Sequence, residues 1–404
     1  MQLRPWSQLV SWFAQCVAVT GMSLRSLPRR AAASAVAAVG VTGVVLVLVA
    51  VLSIAEGFQR TLASSGSEES VIVLRSGSSD ELSSGFGRQT ARLVAEAPGV
   101  ARGADGPLAS AELFVIVDLP LAAAGSDANV PLRGVGPQAF AVRDGVEIVA
   151  GRSFEPGRHE VIAGVGAAAS FAGLDVGETL TLGDDPWTVV GHFSATGSAA
   201  ESEVWADARV VQPAFRRGDT FSSVRARLTS ADAFAGFTQA LADEPRVNVK
   251  ARRESEFYAE QSKVLTALVR GLGFLVAGLM GIGAVFAAVN TLHAAVAARG
   301  REIATLRAVG FRPGPVVVSV LAEALVLGLA GGLAGGAAAW LGFHGYRAST
   351  LNWSSFSQVS FAFAVTPELI VRGIVFALVI GFAAGLLPAL RAARTPVARA
   401  LREP

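Results

Sequence analysis

The sequence predicts an α-helical membrane protein with four transmembrane helices plus a mixed α/β extracytoplasmic domain inserted between helices 1 and 2. Three observations carry this. The 404 residues are 52% hydrophobic and only 16% charged, against roughly 25% charged residues in soluble domains. Four stretches with little or no charge each exceed the ~20 residues that a helix needs to cross a bilayer. Between the first and second, residues 56–263 change character, with clustered Gly, Ser, Asp and Pro and short alternating runs.

Residues 1–30 come first. Trp6, Leu9, Phe13 and Val17 recur at helical spacing, which reads as a helix lying in the inner membrane interface. Arg4 and the apolar run 9–22 also imitate a cleaved signal peptide. Against that, no small-residue cleavage pattern follows, the FAQ before Cys16 is not a lipobox, and a full span comes next. Cys16 is the single cysteine, so an intrachain disulfide and a Cys-based zinc site are excluded.

The spans fall at 31–55 (AAASAVAAVGVTGVVLVLVAVLSIA), at 264–297 with Arg270 as its one interruption, at 314–343 and at 366–390. A short loop, 344–365, joins the last two, and a tail occupies 391–404. Arg25, Arg29 and Arg30 precede the first span. Arg299, Arg301, Arg307 and Arg312 separate the second from the third, and Arg391, Arg394, Arg399 and Arg402 follow the fourth. Because cytoplasmic flanks carry the excess of basic residues, the expectation is a multi-pass inner (cytoplasmic) membrane protein with both termini cytoplasmic. Residues 56–263 and the 344–365 loop are then outside. The lipid bilayer is one partner. Nucleic acid is not expected, since the arginines sit at span ends rather than on an aromatic-interleaved patch.

Within the insert, β-branched runs at Ser70–Arg75, 113–118, Thr179–Leu182, 187–190 and 224–228 predict strands. GETLTLGDDPWTVVGHF reads as a hairpin turning at Gly183-Asp184-Asp185-Pro186. Helices are expected over 87–97 and over 231–243, where Phe234, Phe237 and Leu241 share a face. From Arg252, RRESEFYAEQSK meets no helix breaker before the second span, which predicts one continuous helix able to carry motion from the insert into the membrane.

No catalytic, cofactor-binding or metal-binding constellation is apparent. The two lysines, Lys250 and Lys263, do not follow glycine, so no Walker A loop exists. His159, His192, His293 and His344 are scattered, without ligand spacing. GVGAAASFAG (164–173) reads better as a helix N-terminus with small residues than as a nucleotide loop. Asp184-Asp185 and Glu201/Glu203 read as solvated loop acids rather than a catalytic pair.

Inside the spans, Glu323 lies ~13 Å from the start of the third helix at ~1.5 Å per residue, where an unpaired carboxylate costs several kcal/mol. It reads as a carboxyl tucked against another helix, near Asn290 or His293, with a proton-coupling site as the alternative. Gly328, Gly332 and Gly336, with Gly331 and Gly335 alongside, form small-residue ridges for close helix packing in the bundle or in a dimer seam.

Residues 298–313 (ARGREIATLRAVGFRP) form a charged turn between two greasy spans. Ile303, Leu306 and Val309 recur every three residues, Arg299 and Glu302 are spaced to pair, and Gly310 and Pro313 mark a helix stop. A positive-inside connector explains the charge but not the apolar stripe, which wants a partner surface. REIATLRAVGFRP resembles the cytoplasmic loop of the MacB/FtsX-like permeases of ABC transporters. GLLPALRAARTPVARALRE is similar to that family's ending, GRSFEPGRHEVIAG and LDVGETLTLGDDPWTVVGHF to its periplasmic domain, and LSIAEGF to the segment after its first span. The resemblance implies a permease that dimerises, as a homodimer or related heterodimer, with a separate cytoplasmic ABC ATPase dimer that binds the ATP and Mg. This chain itself would hold no cofactor. It assigns Arg299, Glu302, Ile303, Leu306, Arg307 and Gly310 to the coupling helix on that ATPase. It further implies ATP-driven motion relayed to the outside domain, for export or envelope extraction of an amphiphile (peptide, lipoprotein or lipid-like compound). A periplasmic adaptor or outer-membrane component is a further partner to look for. The alternative is an FtsX-like signalling scaffold that activates a periplasmic cell-wall hydrolase; the large insert favours export.

Overall fold

The structure is a computed structural model that describes residues 5–352 and 357–394. Arg4, Arg399 and Arg402, and the side chains of Trp6, Leu9, Arg29 and Arg30, lie outside the described residues. The chain divides into two compact units, a helical one of residues 1–54, 268–345 and 364–404, and an α/β one of residues 55–267 and 346–363.

In the helical unit, α1 (Pro5–Ser26) and a 3-10 turn (Leu27–Arg30) lead into α2 (Ala31–Ala63). Cys16, Val19 and Ser23 of α1 are buried along one face while Phe13 and Val17 stay exposed. Among the described residues, helices α8 (Glu254–Ala298), α10 (Pro313–Phe343) and α11 (Pro367–Arg394) are, with α2, the four long and apolar enough to cross a membrane. Pro313 supplies the first residue of α10, where its missing N–H costs nothing. The Thr366 hydroxyl caps α11 by accepting from the Leu369 amide at 3.2 Å. The core joins Val41, Val45, Leu48 and Val49 of α2 to Ala277 of α8, Ala339 of α10 and Ala377 of α11.

Glycines set how closely these helices meet. A Cβ on Gly328 would stand 2.8 Å from the Ala377 carbonyl oxygen, one on Gly332 would stand 3.0 Å from Ala377 Cβ, and one on Gly336 would stand 2.9 Å from Ile370. Gly331 and Gly335 face the other way, toward the Ala38 and Thr42 carbonyls of α2 at 2.9 and 2.7 Å. Span three therefore carries two ridges, one against span four and one against span one, both used within the chain.

The α/β unit holds a ten-stranded sheet with the order β14-β1-β13-β5-β6-β11-β8-β10-β7, and β9 beside β10. Its strands are β1 (Ser70–Arg75), β5 (Ala109–Pro120), β6 (Asp127–Val135), β7 (Glu147–Gly151), β8 (Glu160–Gly164), β9 (Thr179–Leu182), β10 (Asp185–Ser194), β11 (Val204–Asp207), β13 (Ser223–Arg227) and β14 (Val249–Arg253). Short pairs β2 (Phe86–Gly87) with β12 (Thr220–Phe221), and β3 (Arg102–Gly103) with β4 (Gly106–Pro107), stand apart. β10/β8 and β11/β6 run parallel; the other ladders of the sheet are antiparallel. Helices α3 (Arg88–Ala95) and α7 (Ala233–Asp243) close one core around Val73, Val94, Val224 and Phe237. Helices α5 (Val165–Ser170) and α6 (Ala208–Ala214) close a second around Val115, Leu132, Trp187 and Val211. One-turn α4 (Ala139–Val142) lies near a third, around Trp205 and Phe193.

Four expectations change. The hairpin turn is only Gly183-Asp184, because Asp185 already pairs with Leu182 and Gly183 takes φ +64°. Helix α2 continues past residue 55 to Ala63. Glu201 and Glu203 are not solvated, being only 6% exposed each. Glu201 accepts from Ser194 Oγ and the amides of Ala195 and Gly197, which offsets its burial. The 344–365 loop contains a hairpin, β15 (Arg347–Asn352) with β16 (Ser357–Ala362), that belongs to the α/β unit. Ser202 Oγ accepts from the Ser360 amide at 2.8 Å, and Phe361 meets Phe58 edge-on at 5.7 Å.

Candidate functional site

Helix α9 (Gly300–Ala308) occupies the charged turn. It ends as the sequence demands. Gly310 takes φ +105°, its amide bonds the Arg307 carbonyl at 3.2 Å, and the Phe311 amide reaches the Leu306 carbonyl at 3.1 Å. That pair of bonds closes a Schellman motif, whose left-handed residue is comfortable only as glycine.

Arg299, just before α9, makes most of the local contacts. Its Nε lies 3.3 Å from Glu302 Oε2, the spaced pairing expected. Nη1 donates to Ser23 Oγ at 3.1 Å and Nη2 to Ser26 Oγ at 2.7 Å, both on α1. Nη1 also faces Glu323 Oε2 at 3.5 Å. Glu323 is thus tucked against another segment of the chain as expected, with Arg299, the residue just before α9, as a charged partner. Helix α1 adds two more contacts: Gln15 Oε1 accepts from the Arg312 amide at 3.3 Å, and Trp12 lies over Gly314.

The apolar stripe of α9 is split. Ile303 and Leu306 are half-buried, lining with Val19, Met22, Val316 and Val320 a small cavity of about 40 Å³. Val309 is 76% exposed, and Arg301, Glu302, Thr305, Ala308 and Gly310 share its exposure, while Arg307 is intermediate. The exposed positions of α9 are thus Arg301, Glu302, Thr305 and Ala308, with Val309 just beyond its end.

A second charged assembly lies in the α/β unit. Arg133, on β6 and 1% exposed, donates Nε and Nη2 to both carboxylate oxygens of Glu203 at 2.7 Å. Its Nη1 reaches Glu81 at 2.7 Å and Glu112 at 3.1 Å. Arg143 forks onto Glu112 at 2.7 and 2.6 Å. Arg225, on β13 and 2% exposed, bonds Glu81 at 3.3 Å and the Tyr258 hydroxyl at 2.9 Å, and pairs with Glu254 in the first turn of α8. Burial pushes the Glu81 and Glu112 carboxyls up, but Arg133 and Arg225 on the first, and Arg143 and Arg133 on the second, hold both below the usual carboxylate range. The signal for this cluster in the sequence is a lone charge inside an apolar strand, as in NVPLRGV and SAELFV.

Among the described residues, no three His, Cys, Asp or Glu side chains are grouped so as to hold a metal ion. Four membrane-length helices, a large α/β insert between the first two and a capped charged helix between the second and third define a multi-pass membrane subunit with an extramembrane domain. The model of the MacB-like periplasmic core domain matches residues 34–244, and that of the FtsX-like permease C-terminal region matches residues 274–397. The chain belongs to the MacB/FtsX family of ABC transporter permeases.

Among curated proteins, it is 26% identical over 339 residues to the macrolide export ATP-binding/permease protein MacB 1/2 of Paracoccus denitrificans (strain Pd 1222). The match covers 78% of this chain and 48% of that protein, so the chain spans about half the length of the relative. Two solved structures are also similar. The extracellular domain of the noncanonic ABC-type transporter YknZ from Gram-positive bacteria is 16% identical with a TM-score of 0.35, covering 46% of this chain and 100% of the other. The periplasmic region of MacB from Actinobacillus actinomycetemcomitans is 14% identical with a TM-score of 0.37, covering 49% and 94%.

Proposed function

We propose that this chain is the permease subunit of an ABC exporter or envelope-extraction system, transmitting ATP-driven motion from a separate cytoplasmic ATPase dimer to an outside domain. The observation that carries the reading is α8, one unbroken helix from Glu254 to Ala298, followed after one residue by α9. On this reading the continuous backbone of α8 is the path by which a push on α9 reaches the α/β unit. ATP and Mg belong to the partner. Val264, Leu268, Leu272, Leu275, Leu279, Ile282 and Phe286 recur along α8 at intervals of three and four, all exposed. That spacing suits a seam with a second permease copy. The cargo is an amphiphile; the macrolide named for the Paracoccus relative is one such compound. An adaptor or outer-membrane channel would complete an export route, whereas a cell-wall hydrolase on the outside domain would mark the signalling alternative.

The test is co-purification of the detergent-solubilised chain with each candidate stand-alone ABC ATPase of the same organism. Retention of one of them by the wild-type chain and its loss with Val309→Asp are expected. Failure of every candidate to bind the wild-type chain, or cysteine labelling that puts α9 on the same side as the α/β unit, overturns the reading.

A further inference from the structure

The ionic cluster of the α/β unit is unbalanced. Four carboxyls, Glu81, Glu112, Glu203 and Glu254, share three guanidiniums, Arg133, Arg143 and Arg225. Burying one excess charge is costly, and the least expensive remedy is a proton on the carboxyl with the fewest donors. Glu203 receives both arms of Arg133 and the Trp205 indole N–H. Glu112 receives both arms of Arg143 and one of Arg133. Glu81 receives Arg133 twice, Arg225 and the Ser223 hydroxyl. Glu254, 4% exposed, receives Nη1 of Arg225 alone.

Among the described residues, Arg225 is the one cation in an ion pair with Glu254. Arg225 already serves Glu81 and Tyr258, and its Nε lies 3.3 Å from Glu112 Oε2. Asp144 is taken by Arg227, and on the neighbouring strand β14 Arg252 pairs with Glu260 and Arg253 with Glu68. A polar cavity of about 140 Å³ adjoins the group, lined by Ser64, Ser67, Ser70, Arg143, Glu254 and Tyr258 among others. It has room for water to follow a charge. Opposite, Gly66 presses on the turn: a Cβ there would stand 2.5 Å from Glu254 Cβ.

We propose that Glu254 is a proton-operated latch on the first turn of α8. Protonated, the carboxyl leaves the cluster neutral and the turn is held to β13. Ionised, it leaves an uncompensated buried charge that draws water into the cavity and frees the turn. Burial raises the Glu254 carboxyl more than Arg225 and Arg143 lower it, in keeping with this direction. Glu254 lies ten residues before the apolar run that starts at Val264, so the proton comes from the medium bathing the α/β unit. The latch sets how firmly α8 is gripped whatever drives it, so its failure leaves the permease reading intact.

The sign follows from linkage. A carboxyl with a raised folded-state pKa contributes stability that is greatest in acid and fades as pH rises from the unfolded value through the folded one. Backbone hydrogen exchange of residues 255–261 in the full-length chain, corrected for intrinsic rates, reads this out between about pH 5 and about pH 8.5. Protection should fall with rising pH, by up to about tenfold for each unit separating the latched and released pKa values. Glu254→Gln should stay at the acid level throughout. A wild-type chain without that slope, or a Gln variant that keeps it, overturns the proposal. Should Glu254→Gln fail to fold, Glu254→Asp must move the midpoint, and an unmoved midpoint overturns it equally.

Discussion

Arg299 Nη1 and Glu323 Oε2 lie 3.5 Å apart, joining the residue before α9 to the interior of span three, while the other guanidinium contacts hold α1. One arginine thus gathers three helices. Glutamine at 323 keeps an acceptor for Arg299, so Glu323→Gln should retain most ATPase-coupled activity, with expression and assembly unchanged. Arg299→Ala leaves the 8%-exposed carboxylate side chain without that partner, and should cost about 1–3 kcal/mol of stability and weaken α1 docking. Thermal unfolding in detergent and protease sensitivity near Ser26 check both. Complete loss of activity in a well-assembled Gln variant would instead support proton coupling.

The glycine ridges make a steric prediction. Alanine at Gly335 would place Cβ 2.7 Å from the Thr42 carbonyl, and alanine at Gly328 would place it 2.8 Å from that of Ala377. Each should destabilise the bundle by about 1–3 kcal/mol. Gly342, with nothing within 4 Å, should accept alanine without loss. Melting temperatures of the three variants separate close packing from a general glycine effect.

At the end of α9, Gly310→Ala puts a Cβ on a residue at φ +105° with open space around it. The cost is conformational alone, roughly 1–2 kcal/mol, and it acts on the direction in which the chain enters α10. The chain should fold, yet bind its ATPase several-fold more weakly. Equal retention of ATPase by variant and wild type would show that the exit angle is unimportant.

Acid should weaken the α/β unit by a route opposite to that of Glu254. Hydrogen bonds from Arg152 outweigh burial and hold Glu160 at about 2. A depressed carboxyl contributes stability above its unfolded value, near 4.5, that is lost as pH falls toward 2. Arg152→Met should therefore flatten the fall in melting temperature over that range. Arg152 is half-exposed, with 49% of its side chain accessible, so the change should be modest.

Much of this was legible in the sequence because a bilayer imposes a strong constraint. Length and apolarity alone mark the four spans, and the Gly-x-x-Pro stop after Val309 fixes the end of α9. β1 and β9 were readable from their β-branched runs. β6 and β14 were not, since NVPLRGV and VKARR carry charges whose burial or pairing is set by distant residues. The 347–362 hairpin was missed for the same reason: its partners, Phe58 and Ser202, are far away in sequence. Arg133 and Arg225 meet four carboxyls drawn from segments far apart in the chain, Glu81, Glu112, Glu203 and Glu254, which no local pattern announces.

The hairpin also decides what counts as a separable piece. Gly57 lies so close to the Ala362 carbonyl that a Cβ would stand 2.1 Å from it, and Phe58 is only 1% exposed, with Phe361 against it. A soluble fragment cut at residues 56 and 263 would omit β16 and leave Phe58 without that cover. An excised α/β unit that behaves natively must be stitched from two stretches of the gene, with residues 346–363 grafted back by a linker.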